Sequence, residues 1–150
     1  MMLRKQNIFL NENLNTKEDV LNFIVDKAYE LGITENKEGL LEDLWKRERE
    51  YSTGIQSGFA IPHSKSKYVK EPSILYIKAN REIEWETLDD SDVRYIFNLL
   101  APEENSSNIH LQMLSKIATC LMEEDFIREV KNANDESLLV EYILNKIEEE

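Results

Sequence analysis

Apolar residues recur along this chain in two rhythms, and the change between them divides it into elements. From Thr16 the spacing is three to four: Val20, Ile24, Ala28 and Leu31 share one face of a helix. Thr16 supplies an N-cap hydroxyl, Asp19 completes a box-like first turn, and Gly32, free to adopt positive φ, stops the helix. A second helix spans Asn36 to Tyr51, with Leu40, Leu41, Leu44 and Trp45 as its stripe. Then the rhythm shortens. Residues 59–61 read as a short strand that Pro62 ends, 73–79 as a second and 93–100 as a third, the last apolar enough to lie centrally in a sheet. Residues 7–10 suit a short first strand, and 81–92 form a polar connection around Trp85. The helical spacing returns near Asn108 with Ile109, Leu111, Leu114, Ile117 and Leu121, capped by Ser106 or Ser107. A short helix at 124–132 follows, then one at 135–148 capped by Asp135. Helices before, between and after strands predict an α/β domain, one sheet with helices on both faces.

Composition narrows the function. The 150 residues fit one domain, with its core over about 7–148. The net charge of −12 and pI of about 4.7 exclude a nucleic-acid surface, which needs a basic face, and an anionic membrane surface. The opening MMLRKQNIFLNEN carries no run long enough for a signal peptide or a membrane span. Cys120 is the sole cysteine, so neither an intrachain disulfide nor a cysteine zinc cluster is expected. These features together predict a cytoplasmic protein.

Two histidines hold the candidate chemistry. His63 follows a strand and a proline, and His110 sits in the first turn of a helix; neither lies mid-stripe on an apolar face. A neutral imidazole nitrogen is nucleophilic near neutral pH without a strong base, so histidine suits phosphoryl carriage. The small residues Ser52, Thr53, Gly54, Ser57 and Gly58 before His63 offer a loop whose N–H groups could reach phosphate. No GxxxxGK[ST] loop, GxSxG elbow or HExxH pair is present, so no cofactor or metal is expected. The carboxylates occur as solvated charge runs, and Cys120 reads as core packing.

The segment Arg47 to His63, REREYSTGIQSGFAIPH, resembles the signature of the fructose–mannitol class of enzyme IIA domains of the sugar phosphotransferase system: an Arg-Glu pair, a Ser-Thr-Gly-Ile stretch and Ala-Ile-Pro-His. Downstream, IEWETLDDSDVRYIFNLLAPEENSSNIHLQML resembles the family's Trp, its strand ending in Ala-Pro, and the His-Leu pair that opens a helix. The resemblance runs from about Thr16 to Leu144. It implies a single mixed sheet sandwiched by helices. It implies that His63 accepts a phosphoryl group from the carrier protein HPr and hands it to an enzyme IIB component, which serves a membrane permease IIC. His110 matches the second active-site histidine, Arg47 the arginine that balances phosphate charge, and Thr53 a threonine of the phosphate pocket. Arg49 falls outside the motif and reads as a surface charge. Gln56 and Ser64 depart from the family, which commonly has glycine at the first and glycine or alanine at the second. With no IIB, IIC or DNA-binding region in the sequence, a separate carrier with partners in trans is expected. Three rivals are weighed: a regulatory IIA of the nitrogen-related branch; a binding module with the fold but no phosphoryl traffic, which loss of His63 or Arg47 would have supported, though both are present; and a metal-dependent hydrolase built on His63, His110 and carboxylates.

Overall fold

The computed structural model describes residues 2–104 and 107–148. The long-period stretches become α1 (Lys17–Glu30), α2 (Lys37–Glu50), α3 (Ser107–Cys120), α4 (Glu124–Asn132) and α5 (Glu136–Ile147). The short-period stretches become β1 (Ile8–Glu12), β2 (Phe59–Ala60), β3 (His63–Ser66), β4 (Ser73–Ile83) and β5 (Val93–Pro102). Caps match the sequence reading at the first and last helices, and the structure adds one at Asn36. The Asp19 N–H donates to Thr16 Oγ1 (3.0 Å), the Gly39 N–H to Asn36 Oδ1 (2.9 Å) and the Leu138 N–H to Asp135 Oδ1 (2.9 Å). Gly32 ends the first helix at φ +76°. Of the two caps expected for α3, Ser106 lies outside the described residues and Ser107 is the first residue of the helix itself.

The sheet is mixed, in the order β1-β4-β5-β2, with β3 also on β5. Among the described strands, only the β4–β5 pair is antiparallel. Alternation along the two long central strands splits the core. Leu75, Ile77, Ala79, Ile96 and Leu100 pack with α1 and α2. Ile74, Tyr76, Phe97 and Leu99 pack with α3, α4 and α5. Each leucine, isoleucine or phenylalanine among them, removed from water, contributes about 1.5–3 kcal/mol. The fold is therefore α/β, with helices on both faces of one sheet. Cys120 is buried in the second of these half-cores.

Several strand boundaries differ from the sequence reading, and one matters for chemistry. β4 runs on to Ile83, and Trp85 beyond it is buried against the first half-core. The edge strand does not end at Pro62. Phe59 and Ala60 pair with Tyr95 and Ile96, and pairing resumes in the same register at His63 opposite Leu99. Pro62 has no N–H to give, but its extended backbone lets the strand continue. Its carbonyl accepts from both the Leu99 N–H (3.1 Å) and Asn98 Nδ2 (3.0 Å), which splint the break. His63 thus opens a strand and does not hang in a loop.

Candidate functional site

Three elements meet at one end of the sheet: the last turn of α2, the start of β3 and the first turn of α3. The Ser66 hydroxyl donates to Asp43 Oδ2 (2.6 Å), pinning α2 to β3. Arg47, in the last turn of α2, gives one guanidinium N–H to the Tyr51 carbonyl (2.8 Å) and its Nε–H to His63 Nε2 (3.2 Å). His63 Nδ1 lies 2.7 Å from the Ile61 carbonyl. These contacts settle the tautomer. Arginine is always a donor, so Nε2 bears the lone pair, and the proton sits on Nδ1, where the carbonyl accepts it. The His110 ring lies 5.5 Å from the His63 ring, centroid to centroid, and is buried, with its Nδ1 making no hydrogen bond among the described residues.

Both rings are held neutral. Desolvation lowers the pKa of His63, and Arg47 adds to this, while the Ile61 carbonyl and Glu48 oppose it. Desolvation, followed by repulsion from His63, Lys65 and Arg47, brings His110 down to about 4. The rings face a cleft of about 500 Å³. Its cations are Lys46, Arg47, Lys65 and Lys67, and Asp43, Glu50 and Glu103 stand among them. The three lysines escaped the sequence reading. Lys65 carried a signal, since it lies two residues along the strand from His63 and shares its face.

Of the predicted site residues, the structure brings together His63, His110 and Arg47. Thr53 does not line the cleft: it is buried, and its hydroxyl donates to Glu48 Oε1 (2.5 Å). The loop of small residues is not a phosphate cradle either. Five of its N–H groups are already engaged: Thr53 on Glu48, Gly54 on Ser52, Ile55 on Phe59, Ser57 on Asp89 and Gly58 on Ser91. The loop is docked on the β4–β5 connection, and Gly54 serves that contact. A Cβ on Gly54 would stand 2.2 Å from the Glu86 carbonyl oxygen. Arg49 lies over the Trp45 ring, away from the cleft, and Gln56 donates to the Leu121 carbonyl (3.2 Å). Ser64 is buried at the cleft floor. Among the described residues no group of three or more His, Cys, Asp and Glu side chains is placed to hold a metal ion, and no helix is long and apolar enough to cross a membrane.

Residues 1–146 match the sequence profile of the family described as phosphoenolpyruvate-dependent sugar phosphotransferase system, EIIA 2. The chain belongs to the EIIA 2 family. Similar proteins span two purposes. The fructose-specific EIIABC component of Bacillus subtilis is 31% identical over 142 residues; the match covers 95% of this chain and 22% of that longer protein. The nitrogen regulatory protein of Bradyrhizobium diazoefficiens is 32% identical, with 81% of this chain and 78% of that one covered. The crystal structure of nitrogen regulatory protein IIA-Ntr from Neisseria meningitidis superposes with a TM-score of 0.85 at 24% identity, covering 97% of this chain and 96% of that one. That likeness gives the EIIA fold.

Proposed function

We propose that this EIIA domain carries a phosphoryl group on His63 Nε2, received from the phosphohistidine of HPr and passed to an enzyme IIB component for sugar uptake, in the cytoplasm. The observation that supports this reading most is the pair of contacts on the His63 ring, Arg47 at Nε2 and the Ile61 carbonyl at Nδ1. In the transfer, the lone pair of His63 Nε2 attacks phosphorus as the donor's N–P bond breaks, and that electron pair returns to the donor ring. The Nδ1 proton stays in place, and the carbonyl stabilises the charge that develops on the imidazole. Arg47 leaves the nitrogen and turns to the equatorial oxygens, which His110 and the cleft lysines also face. Such transfers depend mainly on positioning and charge. The reverse geometry serves the second transfer, so the same open cleft meets both partners. The similarity to nitrogen regulatory proteins supports a second reading, in which the same chemistry signals by phosphorylation state.

The test is labelling from phosphorylated HPr. The label should be acid-labile and alkali-stable, and His63→Ala should remove it; label retained in that variant would overturn the assignment. Arg47→Ala and His110→Ala should each slow labelling on the order of a hundredfold while remaining folded. Onward transfer to a IIB protein favours the transport reading, and its absence across the available IIB proteins favours the regulatory one.

A further inference from the structure

Glu48 follows Arg47 on α2, but it lies about 100° further round the helix and does not line the cleft. It is 6% exposed, yet it is a carboxylate. Burial pushes its pKa up, but hydrogen bonds from Thr53 and Lys17 outweigh this, and the net shift is downward. Its Oε2 accepts from the Thr53 N–H (2.9 Å) and Lys17 Nζ (3.0 Å), and its Oε1 from the Thr53 hydroxyl (2.5 Å). The chain of contacts continues inward. The Thr53 carbonyl accepts from the Ile61 N–H (2.9 Å), and the Ile61 carbonyl accepts the proton on His63 Nδ1 (2.7 Å). One helical turn therefore addresses both nitrogens of the same ring, Arg47 directly and Glu48 through Thr53 and Ile61.

We infer that Glu48 is a positioning residue for phosphoryl transfer: through Thr53 it holds the Ile61 carbonyl that keeps the proton on His63 Nδ1 and leaves Nε2 free to react. This rests on the reading of His63 as the acceptor. A carbonyl free to drift would let the ring turn or exchange tautomers, and a ring with its proton on Nε2 has no lone pair to offer there. The need is for a buried acceptor with two oxygens, because Thr53 presents two donors side by side and Lys17 adds a third. Glutamine is of the same shape but brings an NH₂ where an oxygen accepted, so it must break at least one of the three bonds.

The experiment compares wild type with Glu48→Gln in two readouts. One is the nitrogen-15 spectrum of the His63 ring, which reports the tautomer without any phosphoryl donor. The other is the rate of labelling from phosphorylated HPr. Wild type should show the proton on Nδ1. Glu48→Gln should show mixed tautomers and a rate lower by roughly tenfold to a hundredfold, as for misplacement of a reacting group. A folded Glu48→Gln protein with the wild-type tautomer and rate overturns the proposal. Should that variant fail to fold, Thr53→Val decides in its place: it removes one bond to Glu48 and should mix the tautomers, whereas Thr53→Ser should restore the Nδ1–H form. A wild-type tautomer in Thr53→Val overturns the proposal. A wild-type protein that takes no label removes the acceptor assignment, while the tautomer comparison still decides whether Glu48 positions the ring.

Discussion

A histidine that attacks phosphorus, the role proposed for His63, has to be neutral, and the environment of His63 favours that form. Its folded pKa lies below the ordinary 6.5, chiefly through desolvation, so the reactive form prevails at neutral pH. The labelling rate should therefore be level above pH 7 and fall as pH drops below 6.5, as Nε2 takes up a proton. A shift of the same sign at His110 bears on stability. His110 titrates at about 4 in the fold against 6.5 as its ordinary value, so between these the unfolded chain binds more protons. Stability should fall as pH falls through that window, and His110→Gln should make the fall shallower. Ring titrations by NMR alongside thermal unfolding at several pH values check both statements. A His110 midpoint near 6.5 would remove the account of a desolvated, cation-flanked ring.

Among the elements, the segment 52–58 and the interrupted edge strand decide how the site is assembled. The segment is a spacer clamped between the end of α2 and the β4–β5 connection. Ser52 Oγ donates to the Glu86 carbonyl (2.6 Å), and the Leu88 N–H donates to the Ile55 carbonyl (2.7 Å). Gly54 sits where these backbones come closest. Gly54→Ala sets a methyl against backbone, which cannot rotate aside as a side chain can. It should cost about 1–3 kcal/mol, as overpacking of a tight contact does. It should also slow labelling, because the same segment carries Thr53. Denaturant unfolding measures the first effect; an unchanged midpoint would mean that the connection moves freely. The edge strand contributes direction. Because β3 keeps the register of β2, His63 and Lys65 project from one face toward the cleft.

For the molecule as a whole, the charge map has two levels. The chain carries −12 overall, yet Lys46, Arg47, Lys65 and Lys67 gather in the cleft. A phosphorylated donor with a basic surround is drawn by the outer acidic field, while its phosphoryl group is drawn by the inner cations. Both attractions weaken with salt, since the Debye length is about 10 Å at 0.1 M. Complementary fields act mainly on encounter. The labelling rate at sub-saturating phosphorylated HPr should therefore decline steadily as salt rises while the thermal midpoint barely moves. A rate flat across that range would assign docking to apolar contacts such as the exposed Tyr51 and Leu111.

What the sequence determined by itself was local and periodic. The helical stripes, the Thr16 and Asp135 caps, the Gly32 stop and the apolar central strands each depend on neighbours a few residues away, so spacing reveals them. His63 and His110 were legible because each sits where one element gives way to another in a family motif. The tertiary structure decided what depends on distant partners. Asn98 and Leu99 splint the strand across Pro62, which no local rule about proline anticipates. The tautomer of His63 is set by Arg47 and Ile61 from opposite sides. The loop glycines looked available for phosphate because their composition allows it; in the fold their N–H groups are taken, and Thr53 turns inward to Glu48. A residue type limits which bonds a group can make, and only the folded chain decides which partner arrives first.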